Sequence, residues 1–313
     1  TMLELKKELE PAEILDRTIS EGITDFYVAY SGGKDSGIVL DIVAKNYPNN
    51  FKGVIFVDTG IATDATINFV KEYCNKRKYP LFVLHPETVK RKKDGNGMKE
   101  GDEFNYTNLV LRYGFPSAFS HSATMATLKL FPIRQFIGQK IKEGEKPGLI
   151  SGVRKKESKR RFSTYSNYKD QDGKIIFIKP LFYKSNDWVY RYFMENDIKR
   201  SPVYETLHIS GDCLCGCFAQ KEELKLLEMF HPEVFEKIKK LEKMIKEEGS
   251  EYSRKYSTWG NSNKTTKDIK SQTVLESYIC SDCILDRTVT AKDTEKFNEE
   301  LEEIDQKCRN LIY

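Results

Sequence analysis

The chain has 313 residues, 39% of them hydrophobic, with 51 Lys and Arg against 47 Asp and Glu and a formal charge of +4. That length buries one large core, or a core with a smaller companion. There is no apolar run long enough for a membrane span and no charged-then-apolar leader, so the reading is a cytoplasmic protein with no membrane partner. The modest charge does not demand a polyanionic partner, but basic clusters at 90–93 and 154–161 leave one open. Seven cysteines in a reducing compartment read as metal ligands or redox groups, not as a disulfide framework.

In chain order, residues 3–21 mix Leu and Ile with Glu and Lys at helical spacing and predict an amphipathic leading helix. The stretch FYVAYSGGKDS, Phe26 to Ser36, follows: an apolar β-type run, a Gly-rich turn, and a helix from about Asp35 to Lys45. Such a turn suits an anion. Gly32 and Gly33 let the backbone approach closely, Lys34 adds a full charge, and Ser31 and Ser36 add hydroxyls. Asp35 sits at a helix start, where the dipole favours it and where it can hold an amide or a magnesium ion. The spacing does not match the P-loop of kinases and GTPases. SGGKDS instead resembles the pyrophosphate loop of the PP-loop ATP pyrophosphatases and the phosphoadenosine phosphosulfate (PAPS) reductases.

The run Lys52 to Val57 predicts a second buried strand, ending at Asp58-Thr59-Gly60, where a carboxylate past a strand end is placed to meet a ribose. VDTG is similar to a second motif of the same family. A helix from about Asp64 to Lys76 and a strand Leu81 to Leu84 complete a βαβαβ half, with His85 at the strand end read as structural. Residues 86–103 turn polar and predict a loop near the mouth of the site. His121 to Phe136 reads as a helix broken or kinked at Pro132. It resembles the family's segment with a Leu-Lys pair, a proline and a basic residue, here Lys129, Pro132 and Arg134. Cluster-bearing reductases have paired cysteines in this neighbourhood, and this chain has Ala123, Thr124 and Met125.

A strand from Leu149 to Val153 leads into SGVRKKESKRR. The spacing of Gly152, Arg154, Glu157, Ser158 and Arg161 resembles the family's G-x-R-x-x-E-S-x-x-R segment and puts guanidinium forks past a strand end, suited to phosphate, sulfate or an acyl-adenylate. Ile175 to Leu181 and Asn186 to Asn196 give a further strand and helix. Residues 222–247 then read as one charged, strongly periodic helix, residues 252–273 as polar loop, and residues 293–312 as helix.

Cys213, Cys215 and Cys217 form a C-x-C-x-C group, Cys280 and Cys283 form a C-x-x-C, and Cys74 and Cys308 stand alone. Two such knuckles gather thiolates for either a structural zinc or an iron–sulfur cluster, and both metals stay open. SGDCLCGCFAQKEEL with a distant CSDC resembles archaeal PAPS reductase-like proteins, and that resemblance implies Cys213, Cys215, Cys280 and Cys283 as ligands. Cys217 is then a spare or a reactive thiol.

The expected architecture is an α/β domain over 1–200, doubly wound on a mostly parallel sheet of PP-loop, Rossmann-like type, with a helical, metal-binding domain over 201–313. The nucleotide site comprises Ser31, Gly32, Gly33, Lys34, Asp35, Ser36, Asp58, Gly152, Arg154, Glu157 and Ser158, with Lys34, Asp35, Arg154 and Arg161 as catalytic groups. Sulfonucleotide reductases attack sulfur from a C-terminal Glu-Cys-Gly-x-His segment that is not found here, Cys308 being a poor substitute. The resemblance therefore implies first an adenylating enzyme of sulfur metabolism that takes ATP with Mg2+, releases pyrophosphate, and acts with a tRNA or DNA acceptor or a sulfur-donor protein. A PAPS or APS reductase is the second reading. A nucleotide-binding subunit that docks nucleic acid without turnover is the third.

Overall fold

The computed structural model describes residues 8–86, 105–117, 120–155, 167–219 and 222–260. Six strands form one sheet in the order β3-β2-β1-β4-β6-β5, with β1 at Asp25–Ala29, β2 at Phe51–Val57, β3 at Leu81–Leu84, β4 at Pro147–Ile150, β5 at Lys169–Asp172 and β6 at Ile175–Ile178. All neighbours run parallel except β5, which folds back antiparallel on β6. The strands alternate strictly in what they bury. Phe26 and Val28 of β1 join one core with Ile38 and Val43, while Tyr27, with Ile55 and Val57 of β2, joins another with Ile133 and Ile137. Both faces are covered, as a parallel sheet requires.

Helices α1 (Pro11–Ser20), α2 (Lys34–Asn46) and α3 (Asp64–Arg77) frame the first half. The caps are local: Glu13 accepts from the Glu10 amide at 2.7 Å, and the Thr63 hydroxyl accepts from the Thr66 amide at 3.2 Å. Because the chain leaves β1 toward β2 and returns later to β4 on the other side, β1 and β4 flank a topological switch point. Ligands of doubly wound sheets bind beyond the carboxyl ends of such strands.

Beyond α4 (Tyr106–Tyr113), α5 (His121–Met125) runs through a π-helical turn at Ala126–Leu130 into α6 (Phe131–Lys142). The break expected at Pro132 is thus a widened turn just before it. Proline removes an N–H and crowds the preceding turn, and a π-turn accommodates both without ending the helix. α7 (Asn186–Glu195) is capped by the Ser185 hydroxyl, and the short α8 (Tyr204–Leu207) follows.

The single helix expected over 222–247 is two, α9 (Glu223–Phe230) and α10 (Pro232–Glu248), followed by the short α11 (Glu251–Arg254). Pro232 cannot extend the hydrogen-bond ladder and starts a new helix, and the change of axis leaves Phe230 49% exposed. Val234, Ile238, Leu241 and Ile245 stay buried as one stripe, in a core shared with Tyr106, Val110, Phe115 and Leu128 from earlier in the chain. The hairpin strand β5 had no sequence signal, since KDQD is polar. The expected loop over 86–103, apart from Pro86, and the expected helix over 293–312 lie outside the described residues, as does most of the loop expected over 252–273.

Ile238 is fully buried in the second core. Ile238→Ala is expected to cost about 2–5 kcal/mol in urea unfolding, whereas Met229→Ala, at a residue 71% exposed, should stay within about 0.5 kcal/mol.

Candidate active site

The turn between β1 and α2 is held by its own hydroxyls. The Ser36 hydroxyl accepts from the Ser31 amide at 3.3 Å and donates to the Gly33 carbonyl at 3.1 Å, and the Ser31 hydroxyl accepts from the Gly33 amide at 3.3 Å. Gly32 has φ +80°, a conformation that favours glycine, and its carbonyl accepts from the Ser201 amide at 2.7 Å. Gly33 then caps α2, whose first turn carries Lys34, Asp35 and Ser36. The Lys34 ammonium lies 4.3 Å from the centre of the Tyr190 ring on α7.

The end of β4 touches this helix start. A Cβ on Gly152 would stand 2.6 Å from the Asp35 carbonyl carbon and 2.7 Å from the Ser36 nitrogen, so only glycine allows the two backbones to meet. Two residues on, Arg154 turns inward. Its Nε donates to Asp35 Oδ2 at 2.8 Å and its Nη1 to Asn186 Oδ1 at 2.8 Å, and both members of the ion pair are buried. Asp35 Oδ1 is buried and accepts no hydrogen bond among the described residues. Arg154 therefore fixes the helix start, β4 and α7 to one another, and it is Asp35 that keeps a spare oxygen.

A third segment crosses the same strand ends. The Thr63 amide donates to the Gly211 carbonyl and the Leu214 amide to the Ile61 carbonyl, each at 3.0 Å, and the Thr59 hydroxyl donates to the Asp212 carbonyl at 3.3 Å. These bonds bring the cysteine-bearing stretch onto the carboxyl end of β2. Asp212 pairs with Lys129, which is 2% exposed and lies on the π-helical turn. One pocket is lined by Ser31, Ser36, Lys129, Ser151, Gly152 and Asp212.

Cys213, Cys215 and Cys217 are all buried, at 4%, 2% and 0% exposure. Cys215 is in hydrogen-bond contact with both of the others, and its thiol sits well above its ordinary range. The contact with Cys213 pulls it down, and the contact with Cys217 together with burial outweighs that pull. The knuckle is clamped by the Tyr106 hydroxyl on the Cys215 carbonyl at 2.9 Å and by the Trp259 indole on the Leu214 carbonyl at 3.0 Å. Among the described residues no three His, Cys, Asp or Glu side chains are gathered tightly enough to hold a metal. Soft, buried thiols at Cys213 and Cys215 have the donor chemistry of half a four-thiolate site. The other expected half, Cys280 and Cys283, lies outside the described residues. Cys74 is elsewhere, inside the main core, with its thiol pushed up to about 12 by burial.

Of the other expected site residues, Asp58 lies at the end of β2. Its Oδ1 accepts from the Gly60 amide at 2.9 Å, and its Oδ2 lies 3.8 Å from His85 Nδ1. Glu157, Ser158, Arg161 and Cys308 lie outside the described residues. Asp212 and Ser151 were not singled out from sequence, although each directly precedes a residue that was, Cys213 and Gly152. Of the segment matched by resemblance through Lys129, Pro132 and Arg134, Lys129 lines the pocket and Arg134 meets Asp172 of β5.

The family model of the phosphoadenosine phosphosulfate reductase domain matches residues 25–267. An uncharacterised protein of Methanocaldococcus jannaschii is 25% identical over 251 residues, which cover 77% of this chain and 53% of that protein, so the chain spans about half the length of this relative. An adenosine 5′-phosphosulfate reductase of Oceanobacillus iheyensis is 27% identical over 199 residues, covering 62% of this chain and 70% of that one. Among solved structures, PAPS reductase from Candida auris in a phosphate complex has a TM-score of 0.43 at 18% identity, covering 63% of this chain and 85% of that one. The U34-tRNA thiolase NcsA from Methanococcus maripaludis, with its [4Fe-4S] cluster, has a TM-score of 0.37 at 14% identity, covering 79% and 76%. With the matched region running from β1 through the cysteine knuckle to the clamping tryptophan, the chain belongs to the phosphoadenosine phosphosulfate reductase family.

Proposed function

We propose that this chain is an adenine-nucleotide-dependent enzyme of sulfur metabolism that adenylates an acceptor, releases pyrophosphate and supports sulfur transfer. The observation that carries this reading is the convergence at one switch point of the glycine turn at the head of α2 with the cysteine-bearing segment. An oxygen of the acceptor attacks the α-phosphorus of ATP, the bond to the bridging oxygen breaks, and pyrophosphate leaves with the electron pair. A sulfur nucleophile then displaces AMP.

The chain's own groups act on charge and position. Loop amides, the positive end of α2 and the Lys34 ammonium stabilise the leaving pyrophosphate. Asp35, with its spare oxygen, would hold the magnesium that accompanies ATP and neutralises phosphate charge. Arg154 works one step removed, by keeping Asp35 oriented. Cys213 and Cys215, with Cys280 and Cys283, would hold zinc or an iron–sulfur cluster, which supplies a clasp or a soft site for sulfur.

Burial of the described thiols supports adenylation over direct reduction. A cysteine that attacks a sulfonucleotide must present an exposed thiolate, and Cys74, Cys213, Cys215 and Cys217 are all buried. The second reading, a sulfonucleotide reductase, is favoured by the relatives that carry that name. The acceptor on the first reading is a tRNA or DNA, or the sulfur arrives on a donor protein.

Purified chain with ATP and Mg2+ should yield AMP and pyrophosphate when acceptor is supplied. Sulfite release from APS or PAPS with a thiol donor and no ATP would instead establish the reductase. Lys34→Ala should lower kcat/KM for the nucleotide reaction by about 10²–10³. Arg154→Met, which strands a buried carboxylate, should cost about 3–5 kcal/mol of stability in urea unfolding. Gly152→Ala, which forces β4 away from α2, should raise the KM for nucleotide with the far-ultraviolet circular dichroism preserved.

A further inference from the structure

The hydroxyl protons of the glycine turn are committed within it. Ser36 donates its proton to the Gly33 carbonyl at 3.1 Å, and the Ser31 hydroxyl, 3.1 Å from Ser36 Oγ, is left to donate there. Both oxygens also accept, Ser31 from the Gly33 amide and Ser36 from the Ser31 amide, each at 3.3 Å. A hydroxyl has a single proton, so neither serine can donate to a ligand without breaking a bond that shapes the turn.

A third hydroxyl of the same pocket is differently placed. Ser151 lines it together with Ser31 and Ser36, is 4% exposed, and makes no side-chain hydrogen bond among the described residues. Its backbone is pinned on both sides. The Ser151 amide donates to the Ile178 carbonyl at 2.9 Å, and the next residue, Gly152, lies so close to α2 that a Cβ there would stand 2.7 Å from the Ser36 nitrogen. Tyr30 also lines the pocket and has an unbonded buried hydroxyl, but its ring packs on Tyr73 in the main core, with 5.4 Å between centres. Buried polar groups are bonded as a rule, and an exception fixed in a pocket wall points to a partner from outside the chain.

The neighbourhood sets the chemistry of that partner. Consecutive Cα atoms are about 3.8 Å apart, so Ser151 stands one residue step from the glycine that touches the first turn of α2. The amides and dipole of a helix start favour negative charge. A hydroxyl proton beside them suits an anionic oxygen, and the charge strengthens the bond.

We propose that Ser151 is a ligand-binding residue whose hydroxyl donates to a phosphoryl oxygen of the nucleotide. The hydroxyl contact expected from Ser31 or Ser36 then comes from the end of β4. The inference deepens the reading of this pocket as a nucleotide site and rests on it for the source of the phosphoryl group.

Titration calorimetry on the full chain with inorganic pyrophosphate and, separately, adenosine provides the test, alongside urea unfolding. Ser151→Ala should weaken pyrophosphate about ten-fold or more while adenosine changes by less than about two-fold. Because this hydroxyl bonds nothing in the protein, the same variant should keep or raise the urea midpoint. A midpoint that falls together with binding makes Ser151 a structural residue and overturns the proposal. So does a loss confined to adenosine, which would assign the hydroxyl to the nucleoside. Wild-type pyrophosphate binding that Ser151→Ala retains within about two-fold overturns the role of Ser151 and leaves the nucleotide reading standing, whereas wild-type chain that binds no pyrophosphate overturns both.

Discussion

The contact on which the site depends is the meeting of two backbones, β4 at Gly152 and the first turn of α2 at Asp35 and Ser36. It draws the carboxyl end of one strand under the helix that follows another, and the buried Arg154–Asp35 pair then locks the junction from beneath. A buried ion pair is a poor source of net stability but a strict geometric constraint, because either partner alone would be a desolvated charge. Asn186 extends the constraint to α7, which also carries Tyr190 under Lys34. The loop geometry is thus set by Gly152, Arg154 and Asn186, which leave the second Asp35 oxygen unbonded.

The same economy governs the segment that follows α7. Ser201 bonds back to the Gly32 carbonyl, and Gly211, Asp212 and Leu214 bond to the strand-end residues Ile61, Thr63 and Thr59. Asp212, the residue before the cysteine knuckle, is therefore part of the wall of the pocket, and the knuckle that follows it is clamped by Tyr106 and Trp259.

Much of this was legible in the sequence because it follows local rules. The β1-turn-α2 unit, the strand Leu81–Leu84 and the helix after Ser185 have period, cap and turn residues that agree with one another. The strand ends bearing Asp58 and Gly152 were readable for the same reason. Arg154 was read as reaching a ligand, and its inward turn toward Asp35 depends on a helix 119 positions away, which no local pattern contains. Asp212 and the depth of Lys129 were hidden likewise, since each becomes notable only through the other. The single helix expected over 222–247 followed an apolar period that continues across Pro232, and the period outvoted the proline in the reading although not in the fold.

The second core has members on both sides of position 200, with Tyr106, Val110, Phe115 and Leu128 packed among the residues of α9 and α10. A chain cut there would keep its sheet but lay those four side chains open to water, and the later helices would lose the surface they fold against. The later helices are accordingly the less autonomous part, held on a surface that the earlier half of the chain supplies. Heat that loosens this second core also loosens Cys213 and Leu214 within it, and with them the neighbouring Asp212 in the wall of the pocket.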